Sequence, residues 1–566
     1  MIMKLLEYEE LDFQSKTDYA FDLLNQALSM DSEGDNHIYN ETEQFLKNIS
    51  LSDDQQKVAT MNSTHLLIKG CAGSGKSITL LTRMMQKMSE EIGKRFLFVS
   101  FSKELVKDAQ NRFKTSKYFQ QLQGQNHQVE FLTFHELAYQ LLKSIQIKVP
   151  LFFTSHQNLN KKDDAVRGRM LRLIRLLETD EFKTLPSIYT IRKTENTNFL
   201  LEEFSWMKGN GFIKKEDYLT CKRVGRGRLP SISEKQRTTI FRLFEYYVEE
   251  QKKDFVNRID KEDYALLVMN HLHQLLDENK YDHIFIDEVQ DLQPMQLRVL
   301  VAINKGTLSL SGDERQRIYK SSPFSYKALG IKVQSGNNVV LRKNWRSTYQ
   351  IMKLANSIQF KRSAEDSKYD DEKYFPREGD KPIIEAFSSY SGMLSKVGET
   401  IQGLYKKNPE TTFAIIHRYS NRRDENAVKQ NLGQYFTPKT YLENVDGTNP
   451  VKNRGPRVYF LEAKVTKGLE FDYVFILDFD KNCYPHIDEI TNLQKVKQAH
   501  STEYLDDKKD IEEKEKRILY VALTRTKKAA FMYFSFKGNP EITISPFAKD
   551  FHTKDYIAKN FRKTLI

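Results

Sequence analysis

The chain has 566 residues, which suggests three or four domains, and its 39% hydrophobic and 29% charged residues describe a globular protein rather than a disordered one. Lys and Arg number 88 against 76 Asp and Glu, a net charge of +12, which fits either a polyanionic partner such as nucleic acid or an evenly mixed basic surface. The 3 scattered cysteines exclude a disulfide framework, and no apolar run approaches the ~18 residues of a membrane span, so we expect a cytoplasmic protein without a membrane partner.

The first part of the chain alternates between strand and helix patterns after an N-terminal extension. Residues 1–50 are predicted to form a mostly helical, acidic extension. Within residues 51–145, residues 63–70 are a predicted strand followed by a helical pattern at 77–88, residues 94–102 are a second predicted strand, and residues 129–142 are a third strand with its helix. Such alternation predicts a parallel α/β sheet. Residues 146–262 carry charged amphipathic stretches instead, which predict a helical insertion.

The α/β pattern resumes in residues 263–343 and continues in a second α/β region, residues 344–566. Six further apolar runs are predicted strands: 281–288, 306–314, 411–420, 457–465, 471–479 and 528–536. The polar residues 360–382 are predicted to form a loop, and residues near 431–456 leave room for only a minimal insertion in the second region. The predicted fold class is therefore α/β, with two sheet domains and a helical insertion in the first.

The sequence "GCAGSGKS" (70–77) has the spacing of a phosphate-binding loop, between a predicted strand and a predicted helix. In such a loop the backbone amides surround the β-phosphate at a helix N-terminus, while Lys76 and Ser77 reach the γ-phosphate and Mg²⁺. The sequence therefore predicts ATP and Mg²⁺ as ligands, against the alternative of a plain glycine-rich turn. The predicted loop residues are Gly70, Cys71, Ala72, Gly73, Ser74, Gly75, Lys76 and Ser77.

An acidic pair, Asp287 and Glu288, directly follows the apolar residues 284–286. Carboxylates at the end of a buried strand are costly to hold ionised unless a cation shares the site. In P-loop NTPases a strand that ends in an acidic residue sits beside the phosphate loop and holds Mg²⁺. We therefore predict that Asp287 and Ser77 hold the metal and that Glu288 polarises the attacking water. The alternative is an exposed acidic turn after an edge strand.

The order of motifs over residues 51–548 resembles that of the UvrD/Rep-like branch of superfamily 1 helicases. The matching segments are "LSDDQQKVA" (51–59), "FVSFSKELVKDA" (98–109), "LTFHELA" (132–138), "DEVQD" (287–291), "LSGDERQRIY" (310–319), "LRKNWRST" (341–348), "TKGLEFD" (466–472) and "YVALTRTKK" (520–528). Each short motif alone is weak, whereas eight in the family order are a strong signal. The resemblance implies two RecA-like P-loop NTPase domains with ATP in the cleft between them.

By the same resemblance, three side chains act on the γ-phosphate: Gln316 as a sensor, Arg346 as a contact and Arg525 as the arginine finger. Both arginines belong to the second α/β region, so they can reach the phosphate only when the two regions close on ATP. Closure and hydrolysis then become coupled motions. The resemblance also implies that Gln290, in "DEVQD", couples the nucleotide to the nucleic-acid path.

The resemblance also implies contacts with the base and with other parts of the nucleotide. Gln55 resembles the adenine-reading amide of the family, and Gly468 and Glu470 are implied to lie near the nucleotide. Trp345 stands where a tyrosine usually stacks on the base, and Ile78 stands where an arginine often covers the other face. We therefore expect the base between an indole and an apolar side chain, with looser purine selectivity.

Nucleic-acid contacts are implied where predicted strands of the two regions end. The residues are Phe101, Ser102, Thr133, Phe134, His135, Tyr319 and Lys464. An aromatic ring that stacks on a base contributes ~1–3 kcal/mol without regard to base identity. For each aromatic residue the alternative is core packing, and for His135 it is a structural hydrogen bond. Lys464 replaces a family histidine and would give a plain phosphate contact.

The resemblance implies an ATP-dependent DNA helicase or translocase that moves 3′ to 5′ on single-stranded DNA, with RNA not excluded. The small insertion near 431–456 implies a single-strand translocase that unwinds weakly by itself. No nuclease signature accompanies the motor, so a nuclease partner in DNA repair or phage defence would be another chain. The alternative function is a nucleic-acid-activated ATP switch that recruits or gates a partner without processive movement.

Overall fold

The computed structural model describes residues 46, 49–116, 119–150, 168–188, 193–221, 232–253, 259–313, 324–333, 335–359, 377–419, 422–436, 455–466, 469–496 and 502–563. Nearly all of the predicted N-terminal extension and most of the small insertion near 431–456 lie outside these ranges.

A six-stranded parallel sheet forms the first domain, in the order β3-β2-β4-β5-β1-β6. Its strands are β1 (His65–Gly70), β2 (Arg95–Ser100), β3 (Gln128–Thr133), β4 (Tyr281–Ile286), β5 (Asn304–Gly312) and β6 (Asn338–Leu341). The central strands are continuous apolar runs because helices cover both faces of the sheet. These helices are Asp53–Thr60, Lys76–Glu90, Lys103–Lys114, Phe119–Gly124, Phe134–Ser144, Asp263–Asn270 and Pro294–Ala302.

The strand order separates the strand that carries the acidic pair from the strand that leads into the phosphate loop. The acidic pair follows β4, yet β4 is not the neighbour of β1, because β5 pairs with both of them. The phosphate loop and Asp287 therefore approach each other across the end of β5. This arrangement makes the residues that end β5 part of the site.

The described residues between 168 and 252 are mostly helical and have a hydrophobic core of their own, although the boundaries of 146–262 as an insertion stay a prediction. Beyond the helical residues 168–175 it contains the helices Asp180–Lys183, Lys193–Asn210, Lys215–Thr220 and Glu234–Lys252. Its core includes Met170, Leu173, Leu200, Phe204, Met207, Leu243, Phe244 and Tyr247. The helical region thus packs as a unit beside the sheet rather than as part of it.

A buried ionic cluster joins the helical region to the first sheet domain. The Lys208 ammonium, 2% exposed, lies 2.8 Å from carboxylate oxygens of both Asp260 and Asp263. It also donates a hydrogen bond of 2.7 Å to Gln251 Oε1. Breaking a buried pair by removing one partner typically costs ~3–5 kcal/mol, so this cluster fixes how the two parts meet.

A second six-stranded parallel sheet follows, in the order β12-β7-β11-β10-β8-β9. Its strands are β7 (Ile383–Phe387), β8 (Thr412–His417), β9 (Arg457–Glu462), β10 (Phe471–Ile476), β11 (Thr526–Ser535) and β12 (Ile557–Lys559). Its helices are Tyr349–Ser357, Tyr390–Lys407, Arg422–Leu432, Ile487–Val496 and Thr502–Leu523. Across the described ranges, no helix has the length and apolar character needed to cross a bilayer.

Asp478 lies just after β10, and its burial makes the ionised form of its carboxyl group unfavourable. It is 7% exposed and has the left-handed φ of +54°, which asparagine also tolerates. Tyr419 Oη donates a hydrogen bond of 2.7 Å to it, yet burial raises the pKa of Asp478 to about 6. A raised acid pKa means that the folded state binds the proton more tightly, so the free energy of unfolding falls as pH rises from about 4 to 6.

Asp478→Asn is therefore expected to stabilise the protein at pH 8, by up to roughly 3 kcal/mol, and to keep only about half of this advantage at pH 5, midway between the folded and unfolded pKa values. The control is Asp472→Asn: burial opposes ionisation of Asp472, but hydrogen bonds from Thr412 and the nearby Lys528 hold its pKa low. That variant should be destabilised at pH 8. Thermal unfolding at the two pH values measures both effects. Equal unfolding temperatures for wild type and Asp478→Asn at pH 8 would contradict the prediction.

Candidate functional site

The loop between β1 and the helix Lys76–Glu90 has the backbone that its glycines allow. Gly73 and Gly75 adopt φ of +75° and +78°, which residues with a Cβ rarely adopt. A Cβ on Gly70 would lie 2.7 Å from the carbonyl oxygen of Leu341 on β6. Lys76 starts the helix, is 7% exposed, and its Nζ donates to the carbonyl oxygens of Gly70 at 3.1 Å and Cys71 at 3.0 Å. The lysine ammonium is thus held inside the loop.

Gln55 is fastened to this loop. Its Nε2 donates a hydrogen bond of 2.9 Å to the carbonyl oxygen of Ser74, and its Oε1 accepts one of 2.9 Å from the backbone N–H of Ser52. A Cβ on Gly75 would collide with the Gln55 amide. The side chain predicted to read the base therefore also supports the phosphate loop.

Asp287, Ser77 and Ser311 form a small oxygen-rich group at the end of β4. Ser311 donates its hydroxyl to Asp287 Oδ1, and the Ser77 hydroxyl lies within hydrogen-bonding reach of the same carboxyl group. Burial and the neighbouring Glu288 carboxylate raise the pKa of Asp287 to about 6. A carboxylate that is costly to ionise by itself favours a bound cation.

This donor set fits Mg²⁺, which prefers hard oxygen ligands and few protein contacts. The buried Ser74 hydroxyl has no hydrogen-bond partner among the described residues, so one more polar atom in the loop is left for a ligand. Ser77 and Asp287 are the residues that would hold the metal. A bound Mg²⁺ supplies charge neutralisation at phosphate oxygens.

Glu288 and Gln290 connect the acidic pair to the end of β5. Glu288 is 6% exposed and adopts the left-handed φ of +53°, a conformation that turns the chain sharply after β4. Gln290 Nε2 donates to Glu288 Oε2, and Gln290 Oε1 accepts a hydrogen bond of 3.1 Å from the backbone N–H of Asp313. Glu288 is therefore linked through one amide to the start of the predicted γ-phosphate sensor segment.

Arg346 lies between the two sheets and is paired with Glu470. Its Nε is 2.8 Å from Glu470 Oε2, while Lys527 Nζ is 2.7 Å from Glu470 Oε1. Burial opposes ionisation of Glu470, but the two cations outweigh it and hold the pKa of Glu470 at about 2. This carboxylate is therefore ionised throughout the physiological pH range and positions Arg346 at the rim of the cleft.

Arg525 follows the helix Thr502–Leu523 and is 1% exposed. Its guanidinium donates to the carbonyl oxygens of Val521 at 3.0 Å and Leu469 at 3.3 Å, and to Thr524 Oγ1 at 3.2 Å. Burial, followed by the positive charge of Arg346, lowers the pKa of Arg525 to about 9. The arginine therefore stays mostly protonated at pH 7 to 8.

One cleft brings most of the predicted nucleotide residues together. Its lining combines both sheet domains: Gly73, Gly75, Lys76, Ser77, Ile78, Leu81, Leu105, Asp108, Ala109, Arg112, Asp287, Glu288, Arg346, Leu469, Glu470 and Arg525. Trp345 stands at the same junction, 42% exposed, with its backbone N–H donating 2.9 Å to the carbonyl oxygen of Gly73. Gln316, Tyr319 and Gly468 lie outside the described residues.

Two features of the cleft were missed by the sequence analysis. Asn344, fully buried, donates a hydrogen bond of 2.7 Å to the carbonyl oxygen of Ala72 and accepts one of 2.8 Å from the backbone N–H of Arg346. Asp108 and Arg112 line the cleft from the helix Lys103–Lys114 and are paired at 2.7 Å. The asparagine had a signal, since it stands two positions before Arg346. Asp108 lies within the matching segment 98–109, but nothing in the sequence marked its pairing with Arg112 at the cleft.

The candidate nucleic-acid residues of the first domain follow β2 and β3, which are paired neighbours. Phe101 is 42% exposed, as base stacking would require. Phe134 is 2% exposed within the core, which favours the core-packing alternative for this ring. Ser102 and Thr133 cap the helices that follow their strands. His135 Nε2 lies 3.2 Å from the carbonyl oxygen of Lys261, in line with its structural alternative.

The candidate residue of the second domain, Lys464, follows β9 in a short 3₁₀ turn, Ala463–Thr466. Its Nζ lies 3.9 Å from Glu462 Oε1, and its side chain is 35% exposed. A surface ion pair of this length contributes little free energy, so the Lys464 ammonium could leave it for a phosphate at little cost.

Two parallel six-stranded sheets that meet at a phosphate loop, an acidic pair and two arginines define a P-loop NTPase with two RecA-like domains. Family comparison agrees: residues 51–321 match the UvrD/REP helicase N-terminal domain and residues 450–537 match the UvrD-like helicase C-terminal domain. The chain belongs to the UvrD-like helicase family, as the motif order predicted.

Three curated relatives illustrate this kinship. The chain is 25% identical over 319 residues to "ATP-dependent DNA helicase UvrD2" of Mycobacterium tuberculosis, covering 54% of this chain and 43% of the relative. It is 22% identical over 533 residues to "DNA helicase IV" of Escherichia coli, covering 87% and 69%. It is 26% identical over 170 residues to one component of an ATP-dependent helicase/nuclease of Exiguobacterium sibiricum, covering 26% and 14%. The chain spans less than half the length of the mycobacterial relative.

Proposed function

We propose that the chain is an ATP-dependent DNA helicase or translocase that moves 3′ to 5′ on single-stranded DNA. The observation that carries this proposal is the cleft itself, in which Lys76, Asp287 and Glu288 of the first domain face Arg346 and Arg525 of the second. A γ-phosphate develops charge in the transition state that one lysine and one metal neutralise only in part. The two arginines complete that neutralisation when the domains close, so each hydrolysis event moves the domains.

We propose catalytic roles for some residues of the cleft and a coupling role for Gln290. Ser77 and Asp287 hold the metal, and Glu288 orients the attacking water. Gln290 links Glu288 to the backbone N–H of Asp313, where the segment containing Gln316 begins. A change at the γ-phosphate therefore has a direct hydrogen-bonded route to the segment proposed to touch nucleic acid.

The proposed domain organisation follows the same logic. Residues 51–145 and 263–343 form the first RecA-like domain, residues 146–262 an accessory helical insertion, and residues 344–566 the second domain. The separate core of the helical region supports this division. With only a minimal second insertion near 431–456, we expect the isolated protein to translocate on single strands and to unwind long duplexes poorly.

A separate nuclease is the partner class that we propose, in DNA repair or phage defence. The relative from Exiguobacterium sibiricum is named as part of a helicase/nuclease, although the match covers only 14% of that protein. Copurification of a nuclease with the tagged full-length chain would support this pairing.

ATP turnover on defined nucleic acids tests the proposed function. We expect single-stranded DNA to stimulate hydrolysis, with a rate that rises with strand length, because a translocase falls off short strands sooner. Duplex DNA and RNA are the comparison substrates. Stimulation that is independent of strand length would favour the rival function, an ATP switch that gates a partner. No stimulation by any nucleic acid would reject both.

Gln290→Ala is expected to keep ATP binding but to lose at least about tenfold of the stimulation by single-stranded DNA, because the amide link between Glu288 and Asp313 is broken. Gln296→Ala is the control: Gln296 is also buried and its Oε1 accepts a hydrogen bond of 2.9 Å from the backbone N–H of Gln293, but it does not touch the acidic pair. Nucleotide binding and ATPase rates with and without DNA measure both variants. Full stimulation in Gln290→Ala would exclude the proposed link.

A further inference from the structure

Arg83 is a buried cation that the roles described above do not use. It lies on the helix Lys76–Glu90, about two turns beyond Lys76, and is 0% exposed. Glu90 acts on its guanidinium electrostatically, but among the described residues no carboxylate forms an ion pair with it. Burial lowers the pKa of Arg83 to about 10, so it remains a cation at neutral pH. A buried charge of this kind is tolerated only when hydrogen bonds replace the lost water.

Arg83 donates hydrogen bonds to two separate elements. Nη1 donates to the carbonyl oxygen of Met61, and Nη2 donates 3.0 Å to that of Ser63, at the C-terminal end of the helix Asp53–Thr60. Nε donates 2.9 Å to Ser309 Oγ on β5. A cation is favourable at a helix C-terminus, and the planar guanidinium has enough donors to serve both elements at once.

Both elements continue into the nucleotide cleft. The helix Asp53–Thr60 carries Gln55, whose amide is bonded to the phosphate loop at Ser74. Two positions beyond Ser309 and on the same side of β5 is Ser311, which donates to the predicted metal ligand Asp287. Arg83 therefore stands where the base side of the cleft, the phosphate helix and the metal side meet.

We propose that Arg83 is a positioning residue of the ATP site, which holds the helix carrying Gln55 at a fixed distance from the strand carrying Ser311. The spacing between the base contact and the metal contact is then set by one side chain that touches neither the nucleotide nor the metal. This inference rests on the proposed ATPase function.

Arg83→Lys tests the proposal, because lysine keeps the charge but lacks the planar fork that reaches both elements. We expect the KM for ATP to rise about tenfold, the size of effect that follows from losing a hydrogen bond to a charged group, while kcat changes less than about twofold. The ratio of kcat/KM for ATP over GTP should fall, since Gln55 would be held less firmly.

Arg237→Lys is the matched control. Arg237 also serves a helix end through its guanidinium, donating to the carbonyl oxygens of Leu219 at 3.0 Å and Cys221 at 2.8 Å, but it lies in the helical region away from the cleft. The Arg237→Lys substitution should lower thermal stability and leave the KM for ATP and the purine selectivity unchanged. If Arg83→Lys behaved in the same way, Arg83 would be a purely structural residue and the proposal would be overturned.

Ser309→Ala provides a second test that survives if Arg83→Lys does not fold, because it removes only the β5 partner of the guanidinium. We expect the KM for ATP to rise about two- to threefold with kcat retained. Wild-type values for KM and selectivity in a folded Ser309→Ala protein would overturn the proposal. Absence of ATP hydrolysis by the wild-type protein would instead reject the proposed function, which keeps the two failures distinct.

Discussion

Arg525→Ala is expected to lower kcat for ATP by about a thousandfold, the scale on which arginine fingers act, while ATP binding stays within about tenfold. The reason is that Arg525 comes from the second domain, so its charge stabilises the transition state only after closure, whereas the phosphate loop already holds the ground state. Steady-state turnover and equilibrium binding of a non-hydrolysable ATP analogue measure the two quantities separately. An intact turnover rate in the variant would mean that closure of the cleft is not coupled to chemistry.

The structural role of Arg525 needs its own control, because the guanidinium also donates to the carbonyl oxygens of Val521 and Leu469. Arg517→Ala removes a nearby arginine that lies within the helix Thr502–Leu523 and is paired with Glu513 at 3.0 Å on a more exposed face. Thermal unfolding of both variants separates lost stability from lost catalysis. Turnover should remain near wild type in Arg517→Ala.

Lys76→Ala is expected to abolish measurable ATP turnover, a loss of at least about a hundredfold, and also to weaken nucleotide binding. Lys76 is held by the loop carbonyl oxygens of Gly70 and Cys71, so its ammonium stays close to where phosphate oxygens would lie. The alanine variant keeps the loop glycines and the helix, so the lost charge is the main change. ATPase assays with and without single-stranded DNA give the readout.

Lys87→Ala is the control for this experiment. Lys87 is on the same helix, but near its far end, where it forms a surface pair of 2.6 Å with Glu90. Such surface pairs contribute ~0–1 kcal/mol, so activity and stability should change little. Residual turnover of wild-type size in Lys76→Ala would exclude the phosphate loop as the site of hydrolysis.

The central strands could be predicted from the sequence because strands covered on both faces are continuous apolar runs. The strands that were missed break this rule. β6 has only four residues and is mostly half-buried, β12 has three and is largely exposed, and β7 carries the buried Glu385 in its middle. These strands form because strands distant in the chain pair with them: β6 pairs with β1, β7 pairs with β11, and β12 pairs with β7.

The candidate site likewise has parts that could be predicted from the sequence and parts that could not. The phosphate loop and the acidic pair could be predicted because their chemistry needs consecutive residues. The link from Gln290 to Asp313, and the contacts of Glu470 with Arg346 and Lys527, join residues far apart in the chain. No local pattern encodes such contacts, because each joins residues that only the tertiary fold of a domain brings together.

The order of strands has a consequence for how the chain can be divided into independently folding pieces. The two family matches leave residues 322–449 between them, and this interval supplies β6, β7, β8 and Arg346. A fragment limited to the first match would expose the edge of β1, and one limited to the second match would lack three strands of its sheet, β7, β8 and β12. Each family match therefore covers less of the chain than the domain that has to fold. A first fragment has to extend through Leu341, and a second has to run from Tyr349 through β12.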